Sequence, residues 1–405
     1  MYRIVPDLRI VELAAFIAAP SATLYLRELG ADVIRIDPIG GGLDYRRWPL
    51  APNGQSLYWE GLNKGKRSIA IDLAREAGRE LAGALIAAPG PSAGLFVTNM
   101  PAKGWLTHDA LAARRRDLIS LRVMGWPDGR PAVDYTINAA TGYPMMTGPV
   151  DAQGPVNHVL PAWDLLTGAM AGMNLLAAER RRRMTGEGAE ILLPLSDVAF
   201  GTLARLGHVG EVTLSGADRP RSGNDLFGAF GRDFATSDGE RIMLIGLTAK
   251  QWQGLLTVLA IAPDVARLET ARGVDFARDE GARFTHREAL NAIFATAIAR
   301  HSLAEISGLL ERSGATWSIY RSVKQALASE PGLSLSNPLF ERVTHPSATP
   351  YLTPGASASH AGTARESVPA APLLGAHTDE ILSTCLDLPS HEIARLHDQG
   401  LVAGP

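Results

Sequence analysis

The sequence predicts an α/β protein with a mostly parallel sheet covered on both faces, followed by a smaller α+β region. Three observations carry that prediction. Short apolar runs of strand length alternate with amphipathic helical stretches through the first half of the chain, and such alternation builds βαβ units whose helices cover both faces of a parallel sheet. At 405 residues the chain is too long for one ordinary core, so two domains are the default. Apolar content of 46% with 20% charged residues describes a soluble globular chain.

Taken in order, Arg9 to Leu13 (RIVEL) is the first strand. Pro20 opens a helix through Ser21 to Leu29, proline being favoured early in a helix, and Gly30 ends it. Ala31 to Asp37 is the next strand; Ser68 to Leu73, Gly94 to Asn99 and Leu118 to Gly125 repeat the pattern, with helices such as Arg75 to Ala87 between them. Ligands bind such sheets at the carboxyl ends of the strands. The residues just after Leu13, Asp37, Leu73 and Asn99 are therefore expected around one crevice. There Ala14 to Pro20 offers small side chains and backbone N–H groups at a helix start, an anion site. The basic loop Asn63-Lys64-Gly65-Lys66-Arg67-Ser68 reads either as a solvated turn or as a charge-assisted clamp for phosphates. Gly40-Gly41-Gly42 lacks the ending of a phosphate loop and reads as a flexible connector.

The stretch from Asn157 to Gly188 is the most informative. An apolar approach (Val159, Leu160, Pro161, Ala162, Trp163) leads to Asp164, after which Leu165, Leu166, Ala169, Met170, Met173 and Leu176 recur at helical spacing. Arg180 to Arg183 suits a helix C-terminus, and Thr185-Gly186-Glu187-Gly188 stops it. Asp164 is thus expected at or just before a helix start, held ionised by free N–H groups and the helix dipole, either as a cap or as a nucleophile toward an activated acyl group. Upstream, Asp134 is expected either to cap a turn or to sit beside Asp164, where two carboxylates push their pKa values apart. Bulky residues Val159, Leu160 and Trp163, with the loop Tyr143 to Met146, are expected to wall the pocket.

Beyond this helix, Ala189 to Leu195 is a strand with an internal proline, expected near a sheet edge. Asp197 starts another helix to about His208, and Glu211 to Gly223 reads as a linker. The unit after it carries a strand at Arg241 to Leu247 and helices from Gln251, around His286 to His301 and at Leu303 to Gly314. Gly- and Pro-rich loops fill much of Pro331 to Pro372, and Glu392 to Gly400 is a closing helix.

Composition excludes several classes. A net charge of −3 gives no case for nucleic acid or an anionic membrane surface. The single Cys385 excludes an internal disulfide and fits a reducing compartment. No signal segment or membrane span is indicated, so a cytoplasmic protein is expected. No His/Cys cluster has metal-ligand spacing, so no metal is expected.

WDLLTG, followed by a small-residue helix and Arg182-Arg183-x-TGEG, resembles the core signature of the class III CoA-transferases, which include formyl-CoA transferase, the carnitine CoA-transferases and the α-methylacyl-CoA racemases. GADVIRID, NKGKRS and PLLGAHTDEIL resemble further elements of that family, and the likeness spans nearly the whole chain. It implies a Rossmann-like large domain built from residues 1–210 and 320–405, a small domain over 211–319, and an interlocked homodimer. It implies an acyl-CoA substrate and no cofactor beyond the coenzyme A that the substrate carries. It makes Asp164 the catalytic carboxylate, with Asp134 as the acid beside it. It places Phe16, Ile17, Ala18, Arg35, Lys66, Arg67, Asn99 and Met100 on the coenzyme A. The racemase branch needs a His just before the second acid; Val133 stands there and moves no proton. Pro38, Ile17 and the lack of a four-glycine run also depart from the formyl-CoA transferases. Segments such as FIAAP, DPIGGGLDY and VNHVLPAWD resemble a branch that moves CoA between two carboxyls of one unsaturated diacid.

Overall fold

The computed structural model describes residues 1–405. In chain order the first elements are β1 (Arg9–Leu13), α1 (Ala18–Glu28), β2 (Asp32–Asp37), α2 (Leu57–Asn63), β3 (Arg67–Ile71) and α3 (Glu76–Ile86). Next come β4 (Leu95–Thr98), α4 (His108–Ala112), β5 (Ile119–Met124), α5 (Asp134–Ala140), α6 (Tyr143–Met146) and α7 (Ala162–Thr185). They are followed by β6 (Ala189–Pro194), α8 (Leu195–Arg205) and α9 (His208–Ser215). The middle of the chain holds β7 (Phe230–Ala235), β8 (Arg241–Gly246), α10 (Ala249–Val258), α11 (Ala262–Arg272), α12 (Glu280–Thr285) and α13 (Arg287–Ile298). The remainder is α14 (Leu303–Ser313), β9 (Thr316–Ile319), α15 (Val323–Ser329), β10 (Phe340–Thr344), β11 (Pro350–Pro354), α16 (Thr378–Leu386), α17 (Ser390–Asp398) and β12 (Val402–Ala403). No helix is long and apolar enough to cross a membrane.

The chain divides into two compact units, one of Met1–Thr141, His158–Gly210 and Pro331–Pro405, the other of Gly142–Asn157 and Glu211–Glu330. Residues 142–157 thus belong with the smaller unit, and the chain returns to the larger one at Pro331, not 320.

The larger unit is built on a seven-stranded sheet of order β12-β3-β2-β1-β4-β5-β6, parallel except where β12 runs against β3. This is the doubly wound arrangement, with its topological switch between β1 and β4. Strand alternation assigns the two faces. Val11, Leu13, Ile34, Ile36, Ile69 and Ile71 pack under α3, α16 and α17, so the C-terminal segment completes one face. Ile10, Val33, Val97, Leu121 and Val123 pack under α1 and α7. Glu12, Arg35 and Asp37 alternate onto that second face and are buried there. The pattern-read strands and α3 match within two residues, β6 is an edge strand as its proline suggests, and α1 begins two residues before Pro20.

In α7 the apolar residues read from the sequence are only partly the ones that pack, Leu176 being one that does. Leu166 and Met173 are exposed, while Thr167, Gly168, Ala171, Gly172 and Leu175 face the core. A Cβ at Gly168 would collide with Ser21 and the carbonyl of Ala18, so the small residues are what let α1 and α7 approach. Three other features differ from the sequence reading: α9 occupies the start of the expected linker, β10 and β11 form a hairpin in the loop-rich tail, and β12 adds a seventh strand.

The smaller unit has a three-stranded antiparallel sheet, β7-β8-β9, over a core of Phe230, Phe234, Trp252, Phe276 and Phe294. Arg221 holds residues 142–157 to it by donating to the carbonyls of Thr147 at 2.8 Å and Pro144 at 3.1 Å.

Candidate active site

The first turn of α7 presents N–H groups that no intrahelical carbonyl can reach. Its N-cap is Pro161, whose side chain caps nothing, so Ala162, Trp163 and Asp164 occupy the first three helical positions. The cap comes from another helix. Asp134, first residue of α5 and 2% exposed, accepts from the Trp163 N–H at 2.7 Å and the Asp164 N–H at 3.1 Å through Oδ2. Its Oδ1 lies 2.6 Å from Nε2 of His158, and the Trp163 indole donates to Asn138 Oδ1 at 3.1 Å. Two expectations change here. Asp164 is the third residue of the helix and no cap, and Asp134, which does lie beside Asp164, caps the start of α7 through two backbone N–H groups instead of a turn of its own.

Asp164 is not held ionised. Burial, followed by the charge of Asp134, pushes its pKa up from 3.8 to about 7, outweighing the favourable end of α7. It is a carboxyl poised between forms near neutral pH.

At the sheet's switch point, Asn99 after β4 clasps the loop after β1. Its Oδ1 accepts from Ala15 N–H at 3.1 Å and its Nδ2 donates to Ala15 C=O at 2.8 Å. The next residue, Phe16, is held at φ 68°, a left-handed conformation rare for an aromatic residue and a marker of functional loops. Ile17 leads into α1, Ala18 is buried against α7, and the Met100 N–H donates to Thr98 Oγ1 at 3.0 Å. The loop after β2 brings Arg47 over the Phe16 ring at 5.3 Å and over the Tyr58 ring at 5.5 Å. Tyr58 rides on α2, which is anchored where buried Glu60 accepts from Ser347 N–H at 2.6 Å and Tyr351 O–H at 2.8 Å. The Tyr58 hydroxyl is buried without a hydrogen-bond partner. Burial and the Asp164 carboxylate push its pKa up against the pull of Arg47.

The other expected contacts to coenzyme A are corrected. Arg35 is 1% exposed and pairs with Glu12 at 2.8 Å, Asp37 at 3.0 Å and Asp44 at 2.9 Å, with Trp59 stacked on it. Lys66 is 2% exposed and donates to Glu12 at 2.8 Å and to the Pro20 carbonyl at 2.9 Å. Burial lowers the Lys66 pKa to about 8 and raises that of Asp37 to about 6. Lys64 pairs with Glu28, and Arg67 with Asp32 and Glu380. The basic loop spends its charge inside the fold because its neighbours on β1, β2 and α1 are acids. Val159 is 93% and Leu160 59% exposed, so neither walls a pocket in this chain, while Trp163 lies buried beneath the helix start. Arg47, Tyr58 and His158 were missed; the run Tyr45-Arg46-Arg47-Trp48, basic and aromatic after a strand end, was the available signal.

The family model for CoA-transferase family III matches residues 6–378. The chain belongs to that family. It is 48% identical to the 2-methylfumaryl-CoA isomerase of Chloroflexus aurantiacus, over 100% of this chain and 99% of that one. It is 28% identical to the succinyl-CoA:mesaconate CoA-transferase of Haloarcula hispanica, over 70% of this chain and 72% of that one. In fold it is similar to a CaiB/BaiF family protein from Brucella suis, with a TM-score of 0.77, 24% identity, and coverage of 95% of this chain and 99% of that one.

Proposed function

We propose that the protein is an intramolecular CoA transferase that interconverts 2-methylfumaryl-CoA (mesaconyl-C1-CoA) and 3-methylfumaryl-CoA. The observation that carries this reading is a carboxyl with a pKa of about 7 on the first turn of α7, in a chain 48% identical to an isomerase of that name over its full length. Ionised Asp164 attacks the C1 thioester carbonyl; the C–S bond breaks and CoA thiolate leaves, giving an aspartyl–mesaconyl anhydride. The thiolate attacks the aspartyl carbonyl and expels mesaconate, leaving an aspartyl thioester. Mesaconate turns, its C4 carboxylate attacks that thioester, and the steps run in reverse. Each oxyanion needs a donor. Tyr58, with its buried and unpartnered hydroxyl coupled to Asp164, is the side chain assigned that role. Phe16, Ile17 and Met100 line the thioester end, and exposed Arg46 and Arg47, which no carboxylate pairs, face the phosphates of the substrate.

An intermolecular transferase is the second reading, favoured by the 28% identity to an enzyme named for succinate and mesaconate. Excess ¹³C-mesaconate added to unlabelled mesaconyl-C1-CoA separates the two. The isomerase gives unlabelled C4-CoA product; label in proportion to the added acid overturns it. The exposed apolar residues Val159, Leu160, Leu166 and Met173 support an interlocked homodimer that covers them. Sedimentation equilibrium should then give twice the 43.1 kDa chain mass, and a monomer overturns that part.

A further inference from the structure

We propose that His158 is a positioning residue for Asp164, acting through Asp134. This rests on Asp164 being the nucleophile. Asp134 has two jobs set by one carboxylate: Oδ2 receives the N–H groups of Trp163 and Asp164, and Oδ1 receives His158 Nε2 at 2.6 Å. An ionised carboxylate only accepts, so Nε2 carries the hydrogen and the imidazole fixes the rotation of the group. That rotation sets both the start of α7 and the place from which negative charge faces Asp164. His158 itself is held by its position four residues before Ala162 and by the Tyr135 ring, edge-on at 5.8 Å.

The titratable groups facing His158 include Asp134 and Tyr135 from α5; those facing Asp164 are Asp134 from α5 and Tyr58 from α2. Charged residues on α1, α8, β5 and β6, the other elements packed on α7, add nothing to the two causes acting on Asp164, which are burial and Asp134. Asp134 is therefore the only charge through which the imidazole reaches the nucleophile. Without that hydrogen bond Asp134 faces Asp164 with its charge undiluted, and the nucleophile holds its proton to higher pH.

The test reads Asp164 directly, with no acyl substrate. The full-length protein is labelled with γ-¹³C aspartate, the Asp164 resonance is assigned by its loss in Asp164→Asn, and its titration is followed in His158→Ala, His158→Gln and Asp134→Asn. His158→Ala should move the Asp164 midpoint to higher pH by at least about half a unit, which leaves roughly threefold less carboxylate below the midpoint. His158→Gln, whose amide nitrogen falls where Nε2 was, should restore it. Asp134→Asn should move it the other way. In turnover, His158→Ala should lower kcat with KM for the acyl-CoA kept, and Gln should recover most of the loss. A midpoint unmoved or lowered in His158→Ala, or a loss that Gln does not recover, overturns the proposal. Absent turnover on 2-methylfumaryl-CoA in the unmodified protein overturns the functional reading instead and leaves the titration to be judged by itself.

Discussion

Two groups of buried charge lie in the larger unit, and they are built on opposite principles. Around Arg35 and Lys66, three carboxylates meet two cations, so nearly every charge is matched. Burial alone would raise Glu12, yet Lys66 and Arg35 hold it below its ordinary value. Around Asp164, a second carboxylate approaches and no cation acts on it, so burial and like charge both favour the proton. The first group is spent on holding β1, β2 and β3 to the loop after β2. The second keeps an unspent carboxyl that responds to its surroundings. A perturbed acid without a counterion is the stronger mark of function; a basic cluster matched by acids is a mark of structure.

The largest effect expected from breaking this contrast is at Asp164. Asp164→Asn should lower turnover by at least about 10⁴-fold, as removal of a covalent nucleophile does. It should also stabilise the fold. The folded carboxyl binds its proton more tightly than the unfolded chain does, so its contribution turns unfavourable as pH rises from about 4 to about 7. With allowance for partial exposure, the Asn variant should gain about 2 kcal/mol at pH 8 and nothing below pH 4, read by urea unfolding at both pH values. Equal stability of both proteins at pH 8 would show that Asp164 carries no strain.

Lys66 should behave in the opposite way. Its removal leaves Glu12 buried with one counterion fewer, and breaking such a group typically costs about 3–5 kcal/mol. Lys66→Ala should therefore lower the unfolding midpoint steeply, while the protein that remains folded keeps its KM for acyl-CoA. A raised KM with unchanged stability would return Lys66 to the substrate and erase the distinction between the two groups.

The third test is pH. If the carboxylate form of Asp164 attacks, kcat/KM rises about tenfold per pH unit below the pKa of about 7 and levels above it. A profile flat from pH 5 to 8 would mean that the nucleophile ionises as an ordinary aspartate.

The strands, α3 and the end of α7 at Gly186 were legible because strand spacing, helix periodicity and a left-handed C-cap are local properties of sequence. The place of Asp164 at the start of a helix was legible through its surrounding motif. The like-charge neighbour Asp134 was legible as one alternative; the burial of Asp164, the larger cause of its raised pKa, was not, because it depends on how distant parts of the chain such as α5 pack around α7. The same limit misassigned Lys66 and Arg35. A run such as NKGKRS shows its cations, whereas the acids that match them lie on other strands and on α1. The outward face of α7 misled for a related reason: Leu166 and Met173 follow helical spacing, but the contact with α1 is so close that only small residues fit there.

The smallest effect is expected at Arg47, and it tests whether any cation near the site is unspent. Arg47 is exposed, has no carboxylate partner, and lies over the rings of Phe16 and Tyr58 at 5.3 and 5.5 Å. Two exposed cation–π contacts contribute about 0.5–1 kcal/mol each, so its loss should be tolerated by the fold. If it faces substrate phosphate, the contact is the same in ground and transition states. Arg47→Ala should then raise KM for the acyl-CoA about three- to tenfold with little change in kcat. Arg47→Lys keeps the charge but not the planar stacking, and should recover part of the affinity. A melting temperature that falls as far as in Lys66→Ala would place Arg47 with the matched charges. An unchanged KM, or a loss confined to kcat, would remove it from the binding face altogether.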